Sequence, residues 1–455
     1  MPPQLDTPPL RDLPRISCAG FGGYRRAEQG FIRPERIDDL RAALLQSAAG
    51  TLAPRGMGRS YGDAALNGPG ALLSMERLDR FLAFDKETGV LRVEAGVRVL
   101  DVMRTTVPYG LALAAVPGLS AITVGGCAAF DVHSKNHWHA GGFGDWVISM
   151  RMMLASGEVV DCSRDLNTEL FHATIGGLGL TGVILELEIQ LDKLPGTLVE
   201  SKSTAFEGVE DLMEKFQAAA ATSSYVVAWI DMLNGRKAKG ILIESSVLGE
   251  PDPRAEELWR EKKPKPLNLV APFFNALSTR AFNLAFATRH KTRPQAVTDL
   301  RSFLFPWDAL PNWNRLYGRA GFVEYQCCIP MDSAAAGLSK VIQAVLSKKS
   351  SFPVYFAAVK RMRSGLGMLS FPIDGYSLLL DFPVRDGLWE FLDQIDNIVA
   401  DCGGRVYLAK DGRLSASAFA RMYPRRNAWL ELRETLDPGR QFASDMGRRL
   451  NLGCR

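Results

Sequence analysis

Three glycine-rich segments constrain this chain most: GMGRSYGD at 56–63, VPGLSAITVGG at 116–126 and IGGLGLTG at 175–182, each beside an apolar stretch. Glycine accepts positive φ and close approach of another backbone, so successive N–H groups in such a loop can converge on one anion. A single loop of this kind is equally an ordinary surface turn. Three of them, with small hydroxyl side chains and little negative charge, point to a long ligand bearing a pyrophosphate and held by backbone atoms from several loops.

Around the loops, short strands and helices interleave without the long, regular crossovers of a Rossmann unit, which predicts an α+β domain over 1–195. Residues 1–35 read as an irregular arm, IDDLRAALLQSA (37–48) as a helix, and GTLAPRG as a strand entering the first loop. Two strands turning at Glu87-Thr88-Gly89 lead to a helix from Val99 closed by Gly110, and 146–162 form a hairpin. Beyond Pro195 the strand candidates YVVAWIDML, GILIESSVL, FVEYQCCIP and YSLLLDFPV, with a helix at 333–347, predict a sheet-based second domain over 196–399. Residues 400–455 are read as a C-terminal segment returning to the first domain. An insertion at about 262–295 is aromatic and basic at both ends. It is either a buried helix using Phe273, Phe274, Phe282 and Phe286, or a mobile lid or membrane-surface segment.

A chain of 455 residues exceeds one ordinary core, and 47% hydrophobic with 23% charged residues is a globular composition. The excess of 54 basic over 50 acidic residues is too small to indicate nucleic-acid binding. Seven scattered cysteines without a C-x-x-C pair argue for free thiols in a reducing compartment. The first residues, MPPQLDTPPLRDLPR, lack the apolar core of a signal peptide, and no apolar run approaches the ~18 residues of a membrane span. The expected location is cytoplasmic, with peripheral contact on the inner face of the plasma membrane as the variant.

The segments GMGRSYGD, VPGLSAITVGG, DVHSKNH, GGFG, GGLGLTG, WNRLYGRAGF, LSFPIDGY, DFPVRDG, GGRVYLAKD, MYPR and FASDMGRRL, in this order from 56 to 450, resemble the p-cresol-methylhydroxylase type of FAD-binding proteins, to which vanillyl-alcohol oxidase belongs. Within that superfamily the chain is similar to the decaprenylphosphoryl-β-D-ribose oxidases, the flavin subunits of decaprenylphosphoryl-ribose 2′-epimerases. The resemblance implies a two-domain α+β flavoprotein, an FAD-binding domain followed by a substrate domain on an antiparallel sheet. It implies FAD contacts from Pro54, Arg55, Gly56, Met57, Gly58, Arg59, Ser60, Tyr61, Gly62, Asp63 and Ala64, and from Gly118, Thr123, Val124, Gly125 and Gly126. Phe130, Asp131, Val132, His133, Gly179, Thr181, Gly182, Ile184 and Tyr407 complete that set. Relatives that bind flavin covalently often carry histidine in the first loop. This chain has Arg59-Ser60-Tyr61 there, so noncovalent FAD is expected.

Flavin oxidation of a secondary alcohol needs hydride transfer and removal of the hydroxyl proton, hence a base or positioning group beside that oxygen. The resemblance assigns catalytic roles to Lys410, His133 and Tyr61, and substrate contacts to Lys135, Trp229, Glu324, Gln326, Lys360, Ser377 and Leu379. His133, His137 and His139 have the spacing H-x-x-x-H-x-H without a cysteine or carboxylate, a poor zinc set, and no metal is expected. Four positions depart from the family pattern: Leu379 replaces the cysteine that covalent inhibitors attack in mycobacterial members, Ser377 replaces a polar amide, Glu324 replaces a glutamine, and Val227 replaces a serine.

The expected enzyme is an FAD-dependent oxidoreductase that converts the 2′-hydroxyl of a polyprenyl-phosphoryl ribose to a ketone. That step is the first half of epimerisation to an arabinose donor for cell-wall arabinan. The expected partners are the lipid-linked pentose phosphate, an NAD(P)H-dependent short-chain reductase, and a quinone or oxygen as electron acceptor. Two alternatives stay open: an oxidase of a soluble sugar, alditol or aldonolactone, and a noncatalytic flavoprotein subunit.

Overall fold

The computed structural model describes residues 13–249, 255–260, 274–310 and 312–454. The chain begins with a four-stranded mixed sheet ordered Arg15–Ala19, Arg26–Ile32, Ala71–Ser74, Leu52–Arg55. The expected irregular arm is thus corrected: the first two of these strands pair as an antiparallel hairpin whose second strand runs parallel to Ala71–Ser74. A second, five-stranded sheet is antiparallel and runs Phe81–Asp85, Val90–Glu94, Val183–Gln190, Val147–Met153, Val159–Ser163. The helix Val99–Thr106 tightens into one 3-10 turn and stops at Gly110, whose φ of 69° suits a residue without Cβ.

An eight-stranded antiparallel sheet follows, ordered Gln295–Asp299, Leu198–Glu207, Lys239–Leu248, Tyr225–Ile230, Ala357–Met362, Gly375–Pro383, Phe322–Pro330, Arg405–Val406. The strands Leu198–Glu207, Gln295–Asp299 and Ala357–Met362 have no counterpart among the strands expected from sequence, because LVESKSTAFE, QAVTD and AAVKRM are polar on exposed or cavity-facing sides. On one face, Val323, Tyr325, Cys327, Leu378 and Leu380 pack with Leu338, Val341, Ile342, Leu392, Ile395 and Val399 of the helices Ala334–Ser347 and Leu388–Asp401. Those helical positions recur every three to four residues, the spacing of one buried stripe. The alternate residues of the same strands face a cavity shared with the first two sheets.

The C-terminal residues first add the edge strand Arg405–Val406 and then return to the N-terminal sheets. The backbone of Leu52 donates to Gln441 and accepts from Ala443, and Trp429 Nε1 donates to the carbonyl of Ala173 at 2.9 Å. Among the described residues no helix is long and apolar enough to cross a membrane.

The described part of the insertion is one helix, Ala276–Thr292, capped by Asn275. The expected buried helix is not what forms: only Thr279 and Asn283 are buried, while Leu277, Phe282 and Leu284 are 76%, 62% and 67% exposed. Phe286 rests against Trp229 with ring centroids 4.8 Å apart, and Asn283 Nδ2 donates to Asp231 at 2.9 Å. Phe274 packs edge-on to Tyr317 and Tyr355. Phe273 lies outside the described residues.

Candidate active site

A cavity of ≈ 280 Å³ opens between the N-terminal sheets and the free face of the eight-stranded sheet. The first glycine loop supplies Pro54 to Tyr61 and Ala64, the second Gly118, Thr123, Gly125 and Gly126, and the third Gly179 and Gly182, with Ile184 on the strand beyond. Phe130, Val132, His133, Lys135 and Tyr407 also line it. Three loops far apart in sequence therefore wall one space, which accounts for the glycines: a Cβ on Gly56 would collide with the Thr123 hydroxyl, and one on Gly125 with Ala95.

The loops do not offer the same donors. The N–H groups of Met57, Gly58, Arg59 and Ser60 find no acceptor among the described residues, leaving a run of free donors at the cavity wall. The N–H groups of Val124 and Gly125, expected to hold the pyrophosphate, instead donate to Val97 and Ala95, and that of Gly126 donates to the Thr123 hydroxyl at 3.2 Å. Gly62 and Asp63 also do other work than lining the cavity. Gly62 lets the backbone of Asp411 pass at close contact, and Asp63 is held by Arg449 at 2.7 and 2.8 Å. Asp131 accepts from Gly144 N and the Ser370 hydroxyl, and Thr181 pairs with Thr174, so both act one layer behind the wall. The free donors of 57–60 and the long, largely apolar enclosure fit a dinucleotide with a flat aromatic head.

The large sheet contributes Val227, Glu324, Gln326, Ala358, Lys360 and Leu379 to the same cavity. Their registers explain why: Gln326 stands opposite Leu379, and Leu379 opposite Ala358, so all three project to one face. Lys410 follows the edge strand in a turn fixed by its N–H to Tyr407 O at 3.0 Å, while Tyr61 N donates to Ala409 O at 2.8 Å. The first glycine loop and the lysine turn are thereby joined backbone to backbone. Lys410 Nζ lies 2.5 Å from Glu324 Oε1 and 3.7 Å over the Tyr61 ring.

A second cluster surrounds His133. Its Nε2 is 2.9 Å from the Gln326 amide, which also meets Ser377 Oγ at 2.8 Å, and its Nδ1 is 3.5 Å from Lys360 Nζ. The Gln326 Nε2 donates to the Ser377 hydroxyl and meets His133 Nε2, while His133 Nδ1 accepts from Lys360; Gln326 Oε1 has no partner among the described residues. Burial and the nearby lysine charges hold His133 well below its ordinary pKa, so it is neutral. Burial also lowers Lys135 to about 7 and Lys360 to about 8. Lys135 donates to the carbonyl of Phe303 and sits over that ring.

Two residues expected at the substrate lie elsewhere. Trp229 shares the cavity-facing side of the sheet but is covered by Phe286, and Ser377 reaches the site only through Gln326. His137 accepts from Arg363 N, and His139 bonds the Ser224 carbonyl. Sequence reading assigned no role to Trp307, which lines the cavity, or to Asp308, which accepts from Ser120 N at 3.1 Å and so straps the second loop. It also passed over Asp381, although that residue lies within the quoted DFPVRDG segment.

Comparison with known proteins agrees with this arrangement. The sequence pattern of an FAD binding domain matches residues 28–163, and that of D-arabinono-1,4-lactone oxidase matches residues 320–450. The chain is 35% identical over 412 residues to decaprenylphosphoryl-beta-D-ribose oxidase of Mycolicibacterium smegmatis, covering 88% of each protein. It is 32% identical to an uncharacterized protein of Streptomyces coelicolor over 76% of this chain and 97% of that one. L-gulonolactone oxidase of Scyliorhinus torazame is 32% identical over only 32% of this chain and 34% of its own.

Proposed function

The chain belongs to the decaprenylphosphoryl-β-D-ribose oxidase family, and from that premise we propose that it oxidises the 2′-hydroxyl of a polyprenyl-phosphoryl-β-D-ribose to the 2′-ketone. It is an FAD-dependent oxidoreductase. The observation that carries the substrate reading is the placing of Lys410, Glu324, Gln326, His133 and Lys360 in the same cavity as the three glycine loops.

When bound, FAD supplies an oxidised isoalloxazine able to take a hydride. The residues suited to hold it are the free N–H groups of 57–60, with Ile184, Phe130 and Tyr407 as apolar and aromatic walls. Tyr407 is itself fixed by stacking on Phe371 at 4.6 Å and by its hydroxyl bond to Phe130 O at 3.2 Å. His133, neutral and oriented by Gln326 and Lys360, positions the sugar without adding charge. Arg59-Ser60-Tyr61 offers no histidine for a covalent flavin link, so acid precipitation is expected to release yellow flavin into the supernatant; flavin retained in the pellet would contradict noncovalent binding.

Lys135 and Lys360 are the groups suited to the substrate phosphate. Each binds an anion only when protonated. With values of about 7 and 8, the affinity of the flavin-loaded enzyme for the lipid phosphate is expected to weaken steadily as pH rises from 6.5 to 9. A pH-independent Kd from fluorescence titration would remove both lysines from that role. Anaerobic addition of the lipid-phosphoribose should bleach the flavin absorbance; no bleaching would sink the substrate assignment. The lactone-oxidase match over 320–450 motivates one competing reading, a soluble sugar or lactone oxidase, which turnover on water-soluble sugars alone would favour.

The helix Ala276–Thr292 supports access from a membrane surface. Leu277, Ala281, Leu284 and Thr288 form its exposed stripe, Arg280, Arg289 and Lys291 flank it, and it contains no acidic residue. Such a helix fits an anionic bilayer. Leu277→Asp with Leu284→Asp should abolish sedimentation with anionic vesicles while leaving flavin content unchanged. A short-chain reductase that returns the ketone, and a quinone or oxygen as acceptor, complete the proposed reaction sequence.

A further inference from the structure

The cavity changes character from floor to rim. His133, Glu324, Gln326 and Tyr407 are buried at its floor, and Lys135, Lys360 and Lys410 are half-buried above them. The rim is apolar: Leu119, Val227, Trp307 and Phe356 are half-buried and Pro306 is exposed.

Trp307 is the largest of these side chains, and packing fixes it. It sits in the 3-10 turn Pro306–Ala309, which follows the short helix Leu300–Leu304. Its indole stacks on Trp313 at 4.5 Å and meets Phe356 edge-on at 5.4 Å. Gly118 gives it room, since a Cβ there would lie 3.5 Å from the indole. The neighbouring Asp308 accepts from the Ser120 N–H at 3.1 Å and from its hydroxyl at 2.5 Å, so that carboxylate is occupied by the second glycine loop. Lys135 donates to the carbonyl of Phe303, holding the same segment on its other side. An aromatic ring fixed in this way gives up little conformational freedom when an apolar ligand lies against it.

The order of chemistry along the cavity matches the order of groups in one class of molecule, a sugar joined through a phosphate to an isoprenoid alcohol. The sugar hydroxyls suit the buried polar floor, the phosphate suits Lys135 and Lys360, and the apolar rim remains for the carbons beyond the phosphate. We propose that Trp307 and Phe356, with Leu119 and Val227, form a throat that grips the phosphate-proximal isoprene units, and that Trp307 is its main specificity determinant. This rests on the oxidase reading above and adds recognition of the lipid to recognition of the sugar. A soluble sugar phosphate fills only the floor and the lysines, and forgoes the apolar burial at the rim.

The test is equilibrium dialysis of the FAD-loaded enzyme against phosphate monoesters that carry no sugar: methyl, dimethylallyl and geranyl phosphate, each below its micelle concentration. Affinity of the wild type should rise about tenfold or more at each step of the series. Trp307→Ala should retain flavin, bind methyl phosphate as the wild type does and bind geranyl phosphate about 10–30-fold more weakly. Trp307→Phe should recover most of that loss. With lipid-phosphoribose as substrate, the deficit of Trp307→Ala should fall on KM more than on kcat, the mark of binding shared by ground and transition states. Wild-type affinity independent of chain length overturns the proposal without any variant, and so does a Trp307→Ala enzyme that loses methyl and geranyl phosphate equally. Phe356→Ala carries the same comparison if Trp307→Ala does not fold. Failure of the oxidase reading looks different: the prenyl phosphates bind with the expected dependence on length, while lipid-phosphoribose leaves the flavin oxidised.

Discussion

Lys410→Ala is expected to slow flavin reduction about 10²–10³-fold, the usual loss for one preorganised donor at a reacting oxygen, while the protein stays yellow. The lysine lines the cavity with Nζ 2.5 Å from Glu324 and 3.7 Å above Tyr61. Its backbone is set by the turn from Tyr407 and by the Tyr61–Ala409 bond, neither of which involves the side chain. Truncation therefore removes the cation without dismantling the turn. It also leaves Glu324 and Asp381, opposite each other in the sheet register, with no ammonium beside them. The deficit should fall on kcat more than on KM, because Lys135 and Lys360, the lysines proposed for the phosphate, are untouched. Rapid-mixing absorbance of the flavin reads the rate, and the visible spectrum of the resting protein reads cofactor retention. Reduction within an order of magnitude of wild type would place Lys410 outside the reacting centre.

Arg449→Met is expected to destabilise the protein by about 3–5 kcal/mol at neutral pH, the range for stripping one partner from a buried ion cluster. Arg449 forks onto Asp63 at 2.7 and 2.8 Å and meets Asp411 at 2.9 Å, with both carboxylates buried. These contacts tie the first glycine loop, the lysine turn and the C-terminal helix Asp445–Arg449 to one another. Arg449 and Arg413 together hold Asp411 below its ordinary pKa despite burial. A carboxyl lowered in the folded state stabilises above its unfolded pKa, and that stabilisation is lost as pH falls through the folded value. The deficit of the variant should accordingly be largest at neutral pH and shrink in acid. Denaturant unfolding at pH 7 and at about pH 2, below the ordinary carboxylate range, measures both; equal stability of wild type and variant at pH 7 would show the cluster to be balanced by its own desolvation.

The glycine loops, the 78–96 and 146–162 hairpins, the helix stopping at Gly110 and the strands FVEYQCCIP and YSLLLDFPV were legible in sequence, because each depends on local φ preference or on alternation over a few residues. The strands LVESKSTAFE and AAVKRM were not. Their polar residues are tolerated on a partly exposed sheet face, as in Leu198–Glu207, or required by a cavity, as at Lys360, and only the fold shows which. The helix Ala276–Thr292 carries enough Phe and Leu to read as core, yet its buried positions are Thr279 and Asn283.

The sequence by itself determined the loop chemistry, the α+β class and the residue types available for catalysis, since these follow from composition and spacing within single segments. Tertiary structure decided which donors are free, in 57–60 rather than at Val124 and Gly125, because the latter are consumed by the carbonyls of Val97 and Ala95 in the turn after Val90–Glu94. It also decided that Lys410 meets Glu324 and that Glu324 faces Asp381. Those juxtapositions depend on strand register and on the C-terminal return, and a one-residue slip in either would turn the carboxylates to the opposite face.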